Sequence, residues 1–176
     1  MANELEFTTP AGQTVARELL VAYLNVGTSD SPKWAPIGKR VEDSSIEMDW
    51  GTESKVDIFG DTYTTAKKAT KTQSFDPWEL DSSDEAQKKV WNTAIRDNDA
   101  TAITSFDMLI AHFYAGQDGK NFAERYESCL IAPTNLGGEG GGSVGMAIDV
   151  TYGGTRTLGT VAKAGKVVTF TPDVEV

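Results

Sequence analysis

The sequence of 176 residues predicts a mainly β fold: a β-sandwich or barrel-like structure with one flanking α-helix and a long β-hairpin arm. Three observations carry this. Several stretches alternate apolar and polar residues with period two. One stretch alone joins a capping pattern to an apolar stripe of helical period. Turn signals rich in glycine punctuate the chain between them.

In chain order, Leu19 to Leu24 is a short apolar run closed by Asn25 and Gly27, read as a strand and followed by a polar loop over 27–32. Trp34-Ala35-Pro36-Ile37-Gly38 comes next, its proline suiting an edge or a bend. Ile46, Met48 and Trp50 then alternate with Glu47 and Asp49, and Val56 and Ile58 with Lys55 and Asp57, up to a turn at Gly60-Asp61. Residues 62–75 are rich in Thr, Tyr and Lys, with high β propensity and low hydrophobicity; they read as a long exposed hairpin arm, placed around 51–77. The capping box Ser82 to Glu85, with Ser82 as N-cap, opens the helix. Ala86, Val90, Trp91, Ala94 and Ile95 form its stripe. Residues 103–114 suit a buried helix or a strand; the turn signal over 117–120 and the β-rich 122–131 decide for strand, turn, strand. A flexible loop is expected over 133–145, then a strand over 146–152, and a hairpin about Ala164-Gly165.

The length is that of one domain spanning 1–176. With 39% hydrophobic and 24% charged residues the composition is that of a folded soluble chain. Met1 to Phe7 carry neither a basic nor an apolar signal region, and no apolar run reaches the ~18 residues that cross a bilayer. Cys129 is the only cysteine, which excludes an intrachain disulfide and a cysteine zinc site, and a cytoplasmic origin is expected. A formal charge of −10 repels phosphate backbones and argues against basic-patch nucleic-acid binding.

Catalytic signals are weak. His112 is the sole histidine, and it and Cys129 are expected to be ordinary packed residues. Gly140 to Gly145 matches G-x-G-x-x-G, but a loop precedes it and a period-two strand follows, so nothing there receives a pyrophosphate. Asp97-Asn98-Asp99 lacks the glycine and final glutamate of a calcium loop. No cofactor, no metal and no enzymatic activity is expected. What remains is a run of carboxylates: Glu42, Asp43, Glu47, Asp49, Glu53, Asp57 and Asp61 against the single Lys55. It reads as a solvated sheet face, or as a face kept acidic for a reason.

The order of these features resembles the tail tube (major tail) protein family of long-tailed bacteriophages, the siphophages. In the first half the likeness lies in Trp34 to Gly38, the acidic strand ending at Gly60-Asp61, the Thr/Lys-rich stretch closing on Ser74-Phe75-Asp76-Pro77, and the single helix after it. In the second half it lies in Phe122 to Tyr126, the Gly-rich loop, the strand 144–152, Leu158 to Val161 and Thr169 to Thr171. The resemblance implies a virion subunit, assembled in the host cytoplasm, that closes six-membered rings by sharing sheet edges and stacks them into a tube. Its partners would be itself, the tape measure protein, the tail terminator and baseplate proteins, with DNA passing through and no membrane. Glu47, Asp49, Asp57 and Asp61 are the candidates for an acidic lumen wall that does not retain DNA. Lys67, Lys68 and Lys71 are the candidates for pairing with a neighbour. Two other readings compete: a phage neck or baseplate component of related fold, and a carbohydrate-binding β-sandwich stacking sugars on Trp34, Trp50 or Trp78.

Overall fold

A computed structural model describes residues 4–174. Twelve strands run in the order β1 (Glu6–Phe7), β2 (Leu20–Asn25), β3 (Trp34–Pro36), β4 (Ile46–Asp49), β5 (Glu53–Val56), β6 (Thr62–Thr65), β7 (Thr70–Phe75), β8 (Phe106–Gln117), β9 (Lys120–Gly137), β10 (Gly145–Tyr152), β11 (Arg156–Ala164) and β12 (Val167–Pro172). Between β7 and β8 lies one helix, α1 (Glu85–Trp91), extended by a π-helical turn over Asn92–Arg96. All strand pairings are antiparallel.

β9 belongs to two sheets. Its first half lies between β8 and β11, in the order β3-β2-β8-β9-β11-β12; its second half pairs with β10, which continues to β7 and β4. The first sheet curls until β12 reaches β3. Inside the curl lie Tyr23, Trp34, Leu109, Ala111, Ala123, Val161 and Val168. The other face of the same strands carries Ala22, Leu24, Met108, Ile110 and Tyr126, which pack against Phe75, Ile148, Val150 and Tyr152 of the second sheet and against Ala86 and Val90 of α1. The architecture is thus both barrel-like and sandwich-like. A sheet buried on both faces needs apolar residues at every position, which explains the unbroken runs over 20–24 and 108–111 and why periodicity alone left 103–114 open to a helix.

Three local expectations are corrected. The helix is capped by Asp84, not Ser82: the Asp84 carboxylate accepts from the Gln87 N–H at 3.1 Å. Asp81 holds Ser83 through both its N–H and its hydroxyl, 2.9 and 2.7 Å, so the chain is still turning at Ser82. The apolar stripe also stops early. After Trp91 the π turn, closed by Asp97 N–H to the Asn92 carbonyl at 2.9 Å, rotates Ile95 into solvent. The flexible loop is shorter than expected, because β9 continues through Pro133 to Gly137. Pro133 lies opposite Ile148 at a register shift, where its missing N–H leaves no ladder bond unmade.

Close packing requires glycine at several positions, Gly159 and Gly38 among them. A Cβ on Gly159 would lie 2.7 Å from the Phe170 ring and 2.3 Å from the Thr171 carbonyl oxygen. Gly38, at φ 106°, sits against the Phe75 ring. The cap assignment is testable by urea denaturation. Asp84→Ala should lower stability by about 1 kcal/mol, whereas Ser82→Ala should stay within about 0.5 kcal/mol.

Candidate assembly surface

The feature that the fold leaves unfinished is the ribbon between residues 46 and 75. Its root is part of the second sheet, with Ile46 opposite Gln73 and Asp49 opposite Thr70. Beyond Trp50 it leaves the body, and β5 and β6 pair only with each other. This corrects the reading of 62–75 as a hairpin by itself: 62–65 is the return strand of the arm, and 70–75 lies inside the sheet between β4 and β10. Continuing the root's register would put Glu53 opposite Ala66, but it lies opposite Thr65. The extra residue lies on the return side, within 66–69, across from Gly51 at φ 50°, and marks a bulge where the ribbon leaves the sheet.

Every residue of β5 and β6 is exposed. The tip turn is built by Asp57, whose carboxylate accepts from the N–H groups of Phe59 and Asp61 at 2.8 and 3.0 Å. That turn displays Ile58 and Phe59 at 94% and 84% exposure, beside an exposed Val56. Met48, Trp50 and Tyr63 are half exposed along the ribbon. A two-stranded ribbon with both edges free and an apolar tip is marginal in isolation and is a template for pairing.

The four lumen candidates separate into two places. Glu47 and Asp49 lie on the solvent face of the second sheet, with Asp149 of β10 on the same face, opposite Ser74. The sequence analysis had not singled out Asp149, although its alternation with Ile148 and Val150 placed it outward. Asp57 and Asp61 lie instead in the tip turn. Of the lysines, Lys67 and Lys68 are exposed in the connection between β6 and β7. Lys71 is turned inward and bound within its own chain.

Its partner, Glu124, is a group that sequence reasoning missed. Only 1% exposed, it sits on β9 and accepts from Lys71 Nζ at 2.8 Å, from Arg156 Nε at 2.6 Å and from the Tyr126 hydroxyl at 2.9 Å. His112 Nε2 lies 3.0 Å from the same carboxylate, and His112 Nδ1 lies 2.9 Å from the Tyr114 hydroxyl. Nearby, the Tyr152 hydroxyl donates to Gln73 Oε1 at 2.7 Å, and Gln73 donates to Ser44 at 3.0 Å. The arm's root is therefore tied to the first sheet by the Lys71–Glu124 pair, while α1 packs on the interior through Ala86 and Val90. Burial alone would raise the Glu124 pKa; the hydrogen bonds from His112, Lys71 and Arg156 outweigh it and hold the carboxyl well below its usual range.

The features considered for chemistry take other roles. His112 stacks on Phe122 and lies six positions along β8 from Phe106, which pairs with the buried Cys129. Burial pushes the Cys129 thiol up to about 12, so it carries no nucleophilic thiolate at neutral pH. Asp99 caps the turn over Ala102–Thr104 by accepting from Thr101 and Ala102. Gly140 to Gly142 lie in a loop that leads into β10, with no helix after it. Trp34 and Trp78 are buried, so of the three tryptophans considered for sugar stacking only Trp50 is exposed. No cluster of potential metal ligands occurs among the described residues.

Glu124→Gln should destabilise the fold by about 3–5 kcal/mol in urea denaturation, because Lys71 and Arg156 would keep their charges without the carboxylate. A carboxyl held low in the folded state contributes stability above its ordinary pKa, about 4, and loses that contribution as pH falls through the folded value. The wild-type urea midpoint should therefore fall below about pH 4, and this Glu124 contribution to the fall should be absent in the variant.

No family model and no curated protein matches the sequence. Solved structures match the fold. The sheath/tube terminator of the PVC extracellular contractile injection system gives a TM-score of 0.53 at 6% identity, over 85% of this chain and 99% of that one. The tube-terminating cap of the anti-feeding prophage (AFP) gives 0.52 at 10% identity, over 86% and 95%. A chain from the tail of an empty GTA particle, obtained with helical refinement and C6 symmetry, gives 0.56 at 10% identity, over 82% and 98%. The chain is built on a tail-tube-like fold that these terminator, cap and tail proteins share.

Proposed function

We propose that this chain is a structural, non-enzymatic subunit of a bacteriophage tail tube, forming stacked six-membered rings around an acidic lumen through which DNA passes. The observation that carries the reading is the arm. A ribbon with two free edges, an apolar tip and a root anchored by buried ion pairs is poorly suited to an isolated monomer and well suited to a repeating assembly. The fold shared with a C6-symmetric tail supports the ring. Glu47, Asp49 and Asp149 on one outward sheet face support the lumen, since like charge keeps phosphates from settling on the wall. Lys67 and Lys68 remain available to a neighbour's carboxylates. Tape measure, terminator and baseplate proteins would meet the two ends of such a tube.

A second reading is a tube-end piece, a terminator or cap that forms one ring and stops. It is favoured by the match to a terminator and a cap at TM-scores of 0.53 and 0.52. Negative-stain microscopy of concentrated protein separates the two: a tube subunit should polymerise into hollow tubes, an end piece should halt at single rings, and a persistent monomer excludes both. Ile58→Asp with Phe59→Asp should abolish assembly while leaving the unfolding free energy from urea denaturation within about 0.5 kcal/mol of wild type, because both side chains are solvent-exposed in the monomer. In virions, Glu47→Lys with Asp49→Lys should spare the tube and slow DNA ejection; unchanged ejection would remove the charge argument.

A further inference from the structure

Away from the arm, where α1 meets β2, an amine, a carboxamide and a carboxylate line one polar pocket of about 360 Å³. The amine is Lys89 of α1. It is half-buried and has no salt bridge among the described residues. Its Nζ donates instead to the main-chain carbonyl of Asn25 at 2.5 Å. The carboxamide is the Asn25 side chain, from a residue only 2% exposed. Its Oδ1 accepts from the N–H groups of Gly27 and Lys33 at 2.9 and 3.0 Å. Its Nδ2 donates to the Asp107 carboxylate at 2.9 Å and to the Thr28 carbonyl at 3.0 Å. Arg125 fixes Asp107 from the other side by donating to both of its oxygens, at 3.0 and 2.8 Å.

We infer that Lys89 and Asn25 join in an isopeptide bond that ties α1 covalently to β2, with Asp107 carrying the proton. The attacking amine must be uncharged. Burial lowers the Lys89 pKa and favours that form, although the Asp107 charge opposes it. Nζ already rests on one carbonyl of Asn25, and a swing of the lysine end brings it to Cγ of the same residue. As Nζ attacks Cγ, negative charge develops on Oδ1, where the Gly27 and Lys33 N–H groups already point. Asp107 takes the proton that Nζ sheds and returns it to Nδ2, its hydrogen-bond partner. The Cγ–Nδ2 bond breaks, the Cγ–Nζ bond stays, and one ammonia leaves; nothing is oxidised or reduced. The pocket opens past the exposed Ser29 and Glu127, which gives ammonia a way out. A tie across 64 positions restricts the unfolded chain, a gain that a tube subunit and an end piece would share.

Intact-mass spectrometry of the purified wild-type chain should read a deficit of one ammonia against the sequence mass. Trypsin does not cut after an acylated lysine. Digestion should therefore leave Lys89 uncut and release residues 18–33 joined through Asn25 to residues 89–96. Lys89→Arg keeps the positive charge but cannot form the bond, and should show the full mass. The full sequence mass in wild type, both fresh and after prolonged incubation at neutral pH, would overturn the inference. So would an ammonia deficit that persists in Lys89→Arg, or one confined to an unlinked asparagine peptide with Lys89 cut, because asparagine can also lose ammonia by cyclising on its own backbone. The wild-type mass and digest decide the matter even if the variant folds poorly.

Discussion

β9 is the constraint on which the rest of the molecule depends. Eighteen residues long, it is held by three others, β8 and β11 beside its first half and β10 beside its second, and so runs through both sheets. Because it passes from one sheet to the other, the curled sheet and the second layer cannot move independently. The interior between them is closed by Tyr126, Cys129 and Ile131 of this one strand. An interior so placed is packed from both sides, and volume lost there is not recovered by local relaxation.

The same strand sets the character of the arm. Glu124 projects from β9 into the end of the interior from which the ribbon departs, and binds Lys71 of β7 on the ribbon's return path. Buried charge contributes little net stability after desolvation, but it penalises misregister severely, since any slip would strand Lys71, Arg156 or the carboxylate without a partner. Apolar packing at the α1 end supplies cohesion; the ionic end supplies register. The ribbon thus leaves the body in a defined direction although its own side chains bury nothing within the monomer.

That division of labour explains the uneven surface. The outward face of the second sheet carries Glu47, Asp49 and Asp149 among threonines and serines, whereas the tip carries Ile58 and Phe59. A polar acidic face and an apolar projection therefore sit on one chain as chemically opposite surfaces.

Much of this was legible in the residues. Period-two alternation located β4 and β10, because each has one wet face. The turn signals at Gly60-Asp61, Asp118-Gly119 and Ala164-Gly165 marked the turns of three hairpins, and the helix was placed to within a few residues. What the sequence determined by itself was local: periodicity, turn chemistry, the acidic balance, and the poverty of catalytic groups around a single histidine and a single cysteine. Tertiary structure alone decided that Asp84 rather than Ser82 caps α1, that Lys71 points inward while Lys67 and Lys68 stay in solvent, and that Asp57 belongs to a turn rather than to the face of Glu47. It also decided that Glu124, one of many carboxylates in an acidic chain, is the most deeply buried among the described residues. The physical reason is that burial and charge pairing arise from strands far apart in sequence, 53 positions for Lys71 and Glu124, and no local pattern encodes which distant neighbour a side chain will meet.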